Sequence, residues 1–184
     1  MWSALQSSYR GVWNVLRRYW SAYGGFRALL SSAYFHVAIV LTAILAPYWL
    51  YEAWWDLSLS VLPNILGFTL AGFTIWLGFG DENFRQRLST LPQDGGKTSA
   101  FMGVSAGFLH FIVVQIIALL CAVWAKAMNF PLPDEHWLCP AMEFLAPTGY
   151  AIGFLLFIYA LMAALAASLG VFRAASWYDD HRRQ

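Results

Sequence analysis

Four long stretches without a charged residue constrain this chain more than any other feature of its sequence. They cover residues 28–51, 57–80, 98–125 and 144–172. Each can supply the roughly 20 apolar residues that a membrane-crossing helix needs. Hydrophobic residues make up 60% of the chain and charged residues only 11%, which is outside the range of ordinary soluble domains. The sequence therefore predicts an all-α integral membrane protein with four transmembrane helices.

The residues ahead of the first stretch have a different pattern. Apolar and aromatic side chains recur there at helical spacing, with arginines on the opposite face: Tyr9, Val12, Trp13, Leu16 and Trp20 against Arg10, Arg17 and Arg18. This pattern predicts an interfacial amphipathic helix at 1–25 that binds anionic lipid, with a docking arm for a cytosolic partner as the alternative. A four-helix transmembrane domain at 26–172 and a short cytoplasmic tail at 173–184 complete the predicted organisation.

The distribution of basic residues predicts the orientation. Of the 11 lysines and arginines, only Lys126 falls on one side of the predicted membrane domain, and all others fall on the opposite side. Short loops rich in lysine and arginine stay in the cytoplasm. We therefore expect a multi-pass protein of the cell membrane with both termini cytoplasmic. A formal net charge of +1 gives no overall attraction to nucleic acid, and we expect no direct contact with it.

A stripe of small and polar residues follows one face of the second predicted transmembrane helix. Its members are spaced by three or four positions: Asn64, Gly67, Ala71, Thr74 and Gly78. Small residues let helix backbones approach closely in a membrane, so the stripe predicts a helix–helix interface. The third helix begins with small residues suited to packing against it, and a homo-oligomer is the other candidate. A pore-lining face remains an alternative.

A cluster of charges follows this stripe at the predicted cytoplasmic side: Asp81, Glu82, Arg85 and Arg87. In one interpretation the helix continues into water and Asp81 pairs with Arg85 at i,i+4. In the other, the carboxylates meet cations elsewhere, and in an oligomer they form an acidic ring that attracts cations to a pore mouth. The same cluster is the most accessible candidate surface for a cytosolic protein.

Two histidines lie at similar depth in the first and third predicted helices, His36 and His110. Either they form structural hydrogen bonds, or they are sites of protonation, and the two could face each other. No carboxylate or cysteine stands at a ligand spacing beside them, so we expect no metal. Cys121 and Cys139 form no CxxC motif, and whether they form a disulfide stays open.

The sequence contains no catalytic constellation. Gly96, Lys97 and Thr98 resemble the end of a phosphate-binding loop, but Leu91 occupies the position of the required upstream glycine. No nucleophile elbow and no HExxH motif is present. We therefore predict that the protein is not an enzyme and needs no cofactor.

Two short motifs carry a family resemblance: NILGF at 64–68 and FGDENF at 79–84. They resemble segments of small bacterial four-helix membrane proteins, and the whole layout is similar to the KwaA-type membrane component of the Kiwa anti-phage system. The resemblance implies a homo-oligomeric scaffold or sensor, favouring a tetramer, that recruits a cytosolic effector protein at the bacterial inner membrane in antiviral defence. An oligomeric ion-conducting pore lined by the second helix is the alternative function.

Overall fold

The computed structural model describes residues 2–90, 98–130 and 139–183. Within these residues the chain is helical, without strands. The helices are α1 (Trp2–Tyr23), α2 (Gly25–Leu30), α3 (Ala33–Ile44), α4 (Ala46–Tyr51), α5 (Trp54–Gly78), α6 (Glu82–Ser89), α7 (Ala100–Met128) and α8 (Cys139–Arg182). The positive φ angles of Gly24 (101°) and Gly25 (65°) allow the sharp bend between α1 and α2.

Helices α5 and α7 run antiparallel, as contacts near their two ends show. At one end, Lys126 Nζ of α7 lies 2.8 Å from Asp56 Oδ1 of α5. Toward the other end, Trp76 Nε1 donates a hydrogen bond of 3.0 Å to Ser105 Oγ. We call the end of the bundle where α5 ends and α7 begins the basic end. Arg85 and Arg87 follow α5 there, and Arg173 and Arg182 lie in the last part of α8, which ends on the same side.

Helix α8 packs against α3, α4, α5 and α7. The ring of Phe35 in α3 contacts Tyr159, and the ring of Tyr48 in α4 contacts Phe154. Because positions later in α3–α4 meet positions earlier in α8, these segments are antiparallel. The segment 33–51, α5, α7 and α8 therefore alternate in direction, as in an up-and-down bundle.

Three of the described helices are long and apolar enough to cross a membrane: Trp54–Gly78, Ala100–Met128 and Pro140–Arg182. The first predicted span differs, because the chain divides it among α2, α3 and α4, and α3 has only 12 residues. Ser32 has extended backbone angles and begins α3, and Pro47 near the start of α4 lacks the N–H that a continuous helix would use. Four uninterrupted membrane helices are thus not confirmed.

Helix α8 is longer than predicted, with 44 residues. At a rise of 1.5 Å per residue this corresponds to about 66 Å. The segment 173–184, expected to be a short tail, continues the helix as far as Arg182. Contacts explain the continuation, because Ala174 is buried and the Tyr178 ring packs on Phe84 of α6.

The buried apolar side chains form two clusters. The larger lies toward the end opposite the basic end and includes Trp54, Leu62 and Phe154, each at most 1% exposed. The smaller surrounds Trp76 and Phe108 near the basic end. The helices at the basic end are thus packed around their own apolar core, separate from the larger cluster.

Candidate functional site

A buried histidine joins three helices at the centre of the best-defined polar site. His110 of α7 is only 3% exposed. Its Nδ1 lies 3.0 Å from Tyr19 Oη of α1, and its Nε2 lies 2.9 Å from Tyr159 Oη of α8. The Tyr23 ring stacks on the imidazole with centroids 3.8 Å apart. We call Tyr19, Tyr23, His110 and Tyr159 the histidine–tyrosine cluster.

The spacing of α1 explains how it reaches this site. Tyr19 and Tyr23 are four residues apart, so both project from the same helix face. Burial, with a further contribution from Tyr23, raises the pKa of Tyr19 to about 12, and its phenol therefore stays protonated at neutral pH. One nitrogen of a neutral imidazole donates and the other accepts, and a tyrosine hydroxyl can do either. The cluster is therefore satisfied in both tautomers and ties the end of α1 to the bundle.

The rest of α1 remains outside the bundle. From Gln6 to Arg18 every side chain is exposed, including the apolar residues Val12 and Trp13 at 57% and 60%. Tyr19 and Tyr23 in the last turns of α1 contact His110 and Tyr159, at a level about three turns into α7. The helix thus has an exposed apolar face and an anchored end.

The structure does not bring the two predicted histidines together. Both ring nitrogens of His110 already lie within hydrogen-bond distance of tyrosines. His36 is exposed on α3, whereas Ala38 two residues later is fully buried. His36 therefore projects away from the interior that holds His110.

The small-residue stripe of α5 lies on the outside of the single chain. Its five members, Asn64, Gly67, Ala71, Thr74 and Gly78, are all exposed. A Cβ added at Gly67 or Gly78 would find no atom within 4 Å. Asn64 Nδ2 donates to Ser60 O at 3.2 Å and Thr74 Oγ1 donates to Leu70 O at 3.0 Å, so both polar side chains bond only to their own helix.

The face of α5 that packs against α7 is a different one. Ser58, Leu62, Thr69 and Trp76 are buried on it. Gln115 Nε2 of α7 donates to Thr69 Oγ1 at 3.1 Å. We expected the small residues of α7 to pack against the stripe. This expectation is wrong, because the interface between α5 and α7 is formed by the buried residues of α5 and not by its stripe.

The charged cluster at the basic end does not continue α5. Helix α5 ends at Gly78, and Gly80 turns the chain with a φ of 81°. Asp81 then caps the new helix α6, its Oδ1 accepting a hydrogen bond of 2.8 Å from the Phe84 N–H. Neither of the two sequence interpretations of Asp81 included this role. A carboxylate at a helix start is favourable, since the helix dipole is positive there.

Phe84 attaches α6 to the bundle. Its side chain is 3% exposed, and its ring contacts Phe79, Tyr178 and His181. The charged neighbours Glu82, Arg85 and Arg87 are exposed. The buried Phe84 thus holds α6 against the bundle, while the charged side chains of α6 remain exposed.

The sequence interpretation missed the partners of His110 and the anchoring role of Phe84. The available signal for the former was the four-residue spacing of Tyr19 and Tyr23, which also fits an interfacial aromatic belt.

No group of three or more metal-binding side chains occurs in the described part of the chain. The side chain of Cys139 lies outside the described residues, so whether it forms a disulfide with Cys121 stays open. Comparison with family models, with curated proteins and with solved structures finds no match to this chain.

Proposed function

We propose that this protein is a noncatalytic membrane scaffold or sensor that self-associates through the stripe of α5 and recruits a cytosolic effector through α6. The exposed stripe carries the proposal. A face of small residues has little packing value against lipid, but it permits close contact with a second helix. Since α5 uses its other face for α7, the stripe remains available to another copy.

We further propose that segment 33–51 is a fourth membrane crossing. The Leu45 N–H bonds to the Leu41 carbonyl of α3, and the Leu45 carbonyl accepts from the N–H groups of Tyr48 and Trp49, so α4 begins directly at the residue where α3 ends. The segment would span about 28 Å at helical rise, close to the hydrocarbon thickness of a bilayer. Four crossings place both termini on one side, which the lysine and arginine distribution assigns to the cytoplasm.

The surface of α6 supports the recruitment part of the proposal. Arg85 and Arg87 are exposed, and no ion pair joins either to an acid among the described residues. Charges on a fixed helix can contribute orientation and encounter rate to a protein contact. The resemblance to KwaA-type proteins suggests bacterial anti-phage defence as the setting and a tetramer as the assembly.

Self-association is tested with Gly67→Leu and Gly78→Leu, which should reduce the oligomer mass measured by light scattering in mild detergent. Gly149→Leu is the control, because it makes the same change at an equally open position of α8. An unchanged mass in both stripe variants would remove the stripe from the interface.

Recruitment is tested by reversing Arg85 and Arg87 to glutamate. This variant should lose its co-purifying cytosolic partner while the oligomer persists, whereas reversal of Arg182 and Arg183 at the same end should retain the partner. Intact partner binding in the first variant would exclude α6 as the recruiting surface.

The pore alternative is favoured by one observation, the presence of Asn64 and Thr74 on the outward stripe. Cation flux through the reconstituted protein tests it directly. Flux that falls in Asn64→Leu would favour conduction over scaffolding. Absence of flux from a verified wild-type oligomer would exclude the pore.

A further inference from the structure

Two open clefts flank α8 in its basic half. One has a volume of about 400 Å³ and the other about 430 Å³. Both are lined by Phe111 of α7 and by Ala166, Gly170 and Arg173 of α8. The clefts are therefore neighbours that share one face of α8 and include the same arginine, Arg173.

The end of α1 borders both clefts. Tyr23 lines the first cleft, which lies beside α2 and α3, and Ala22 lines the second, which lies beside the start of α7. Each cleft also contains hydroxyl groups near its basic end, Ser32 in the first and Ser99 in the second. The apolar walls suit the acyl chains of a lipid, and the few polar groups at one end suit its headgroup.

Small residues form much of the lining. The first cleft contains Ala28 and Ala163, and the second contains Gly103 and Gly107. A Cβ added at Gly103 or Gly170 would meet nothing within 4 Å. These positions leave open space beside the helices, and on α8 they belong to the charge-free stretch 144–172.

Arg173 determines the charge of the site. It is the one charged residue among the described residues that line either cleft. It is exposed, and it takes part in neither ion pair found in the described ranges. It also directly follows the charge-free stretch 144–172, so it lies where α8 leaves the apolar part of the membrane. A guanidinium at this level is suited to a lipid phosphate.

We propose that these clefts form a binding site for one anionic phospholipid, with its phosphate at Arg173 and its acyl chains in the two clefts. The hydroxyls of Ser32 in the first cleft and Ser99 in the second supply further polar contacts to the headgroup region. A zwitterionic headgroup would bring a cation that no acidic side chain of the described lining could pair, so the charge favours an anionic lipid. The site does not depend on self-association or on effector recruitment.

Native mass spectrometry of the full chain in detergent tests the proposal. The protein is titrated with phosphatidylglycerol and, separately, with phosphatidylcholine of the same acyl chains. Wild-type protein should retain one phosphatidylglycerol in preference to phosphatidylcholine. Arg173→Gln should weaken this retention at least about fivefold, since one basic residue near a membrane contributes about 1 kcal/mol toward anionic lipid. Arg173→Lys keeps the charge and should recover part of the binding.

Arg182→Gln is the matched control, because it removes the same charge from the same helix outside the clefts. An equal loss in Arg182→Gln and Arg173→Gln would overturn the site, as would equal retention of the two lipids by the wild type. Inorganic phosphate at millimolar concentration should not displace the lipid, and displacement would show that the acyl clefts contribute nothing.

A second variant tests the clefts with Arg173 intact. Gly170→Leu places a bulky side chain into the space that both clefts share, without a protein atom within 4 Å of the new Cβ. It should reduce phosphatidylglycerol retention about fivefold or more, because the side chain occupies the volume of the acyl chain. Gly149→Leu, in the other half of α8, should retain the lipid. Unchanged retention in Gly170→Leu would overturn the proposed position of the acyl chains.

Discussion

Gly153 of α8 lies so close to the indole of Trp54 that an added Cβ would come within 2.5 Å of the ring. Trp54 is completely buried, and its ring packs edge-on against Trp55 and Phe154. We expect Gly153→Ala to lower the free energy of unfolding by about 1–3 kcal/mol through overpacking. Thermal unfolding in detergent measures this, with Gly149→Ala as control because a Cβ added at Gly149 would meet no atom within 4 Å. Equal melting temperatures would contradict the close contact.

Removal of the imidazole should release the end of α1. His110→Leu loses both hydrogen bonds to tyrosine. Tyr159→Phe loses the bond to His110 and a longer one, of 3.4 Å, between the Tyr159 and Tyr23 hydroxyls. Each bond is worth about 0.5–1.5 kcal/mol. We expect faster tryptic cleavage after Arg17 or Arg18, because cleavage within a helix requires local unfolding. His36→Leu, which changes an exposed histidine, should cleave at the wild-type rate. A wild-type rate in His110→Leu would mean that the cluster does not anchor α1.

The hydrogen bond between Tyr19 and His110 also predicts a high pH above which the end of α1 is no longer held to the bundle. The pKa of Tyr19 in the folded chain, about 12, is raised above the ordinary value near 10. Its contribution to docking is therefore complete below pH 10 and is lost as the pH rises through 12. The phenolate absorbance of the wild type minus that of Tyr19→Phe should rise with a midpoint near pH 12. A midpoint near the ordinary value would show that Tyr19 is not buried.

If the chain crosses the membrane four times, both termini lie on the same side. If it crosses three times, the termini lie on opposite sides. Single cysteines at Gln6 and Arg183, in a chain with Cys121 and Cys139 replaced by alanine, report on the two ends. With four crossings, both should resist a membrane-impermeant thiol reagent in intact cells, and a cysteine at Glu52 should react. Reaction at only one terminus would establish an odd number of crossings.

Much of the fold follows from where charges are absent, yet the first span shows the limit of that rule. The stretch 28–51 has the composition of a membrane helix, but the chain interrupts it beside Ser32 and at Leu45. Serine and the pair Ala46–Pro47 do not lower hydrophobicity enough to mark a break. Their effect is on backbone hydrogen bonding, which composition does not report.

The stripe of α5 shows why a face can be predicted without its neighbour. Periodicity placed Asn64, Gly67 and Gly78 on one side, which the structure also has. A small-residue face looks the same whether it meets a helix of its own chain, another copy or lipid. His110 was recognisable as a buried polar residue, but its partner Tyr19 comes from a helix 91 positions away in sequence, a distance that local spacing cannot bridge.

Segment 24–51 and α8 lie side by side, yet they differ in mechanical stiffness. Helix α8 continues from Pro147 to Arg182 without another proline, whereas its neighbour is cut into α2, α3 and α4. Bending strain concentrates where backbone hydrogen bonds are interrupted, so the joints beside Ser32 and at Leu45 yield before this part of α8 does. A change in bilayer thickness or curvature should therefore bend the chain at these joints, on the side where α1 is attached, before it bends α8 beyond Pro147.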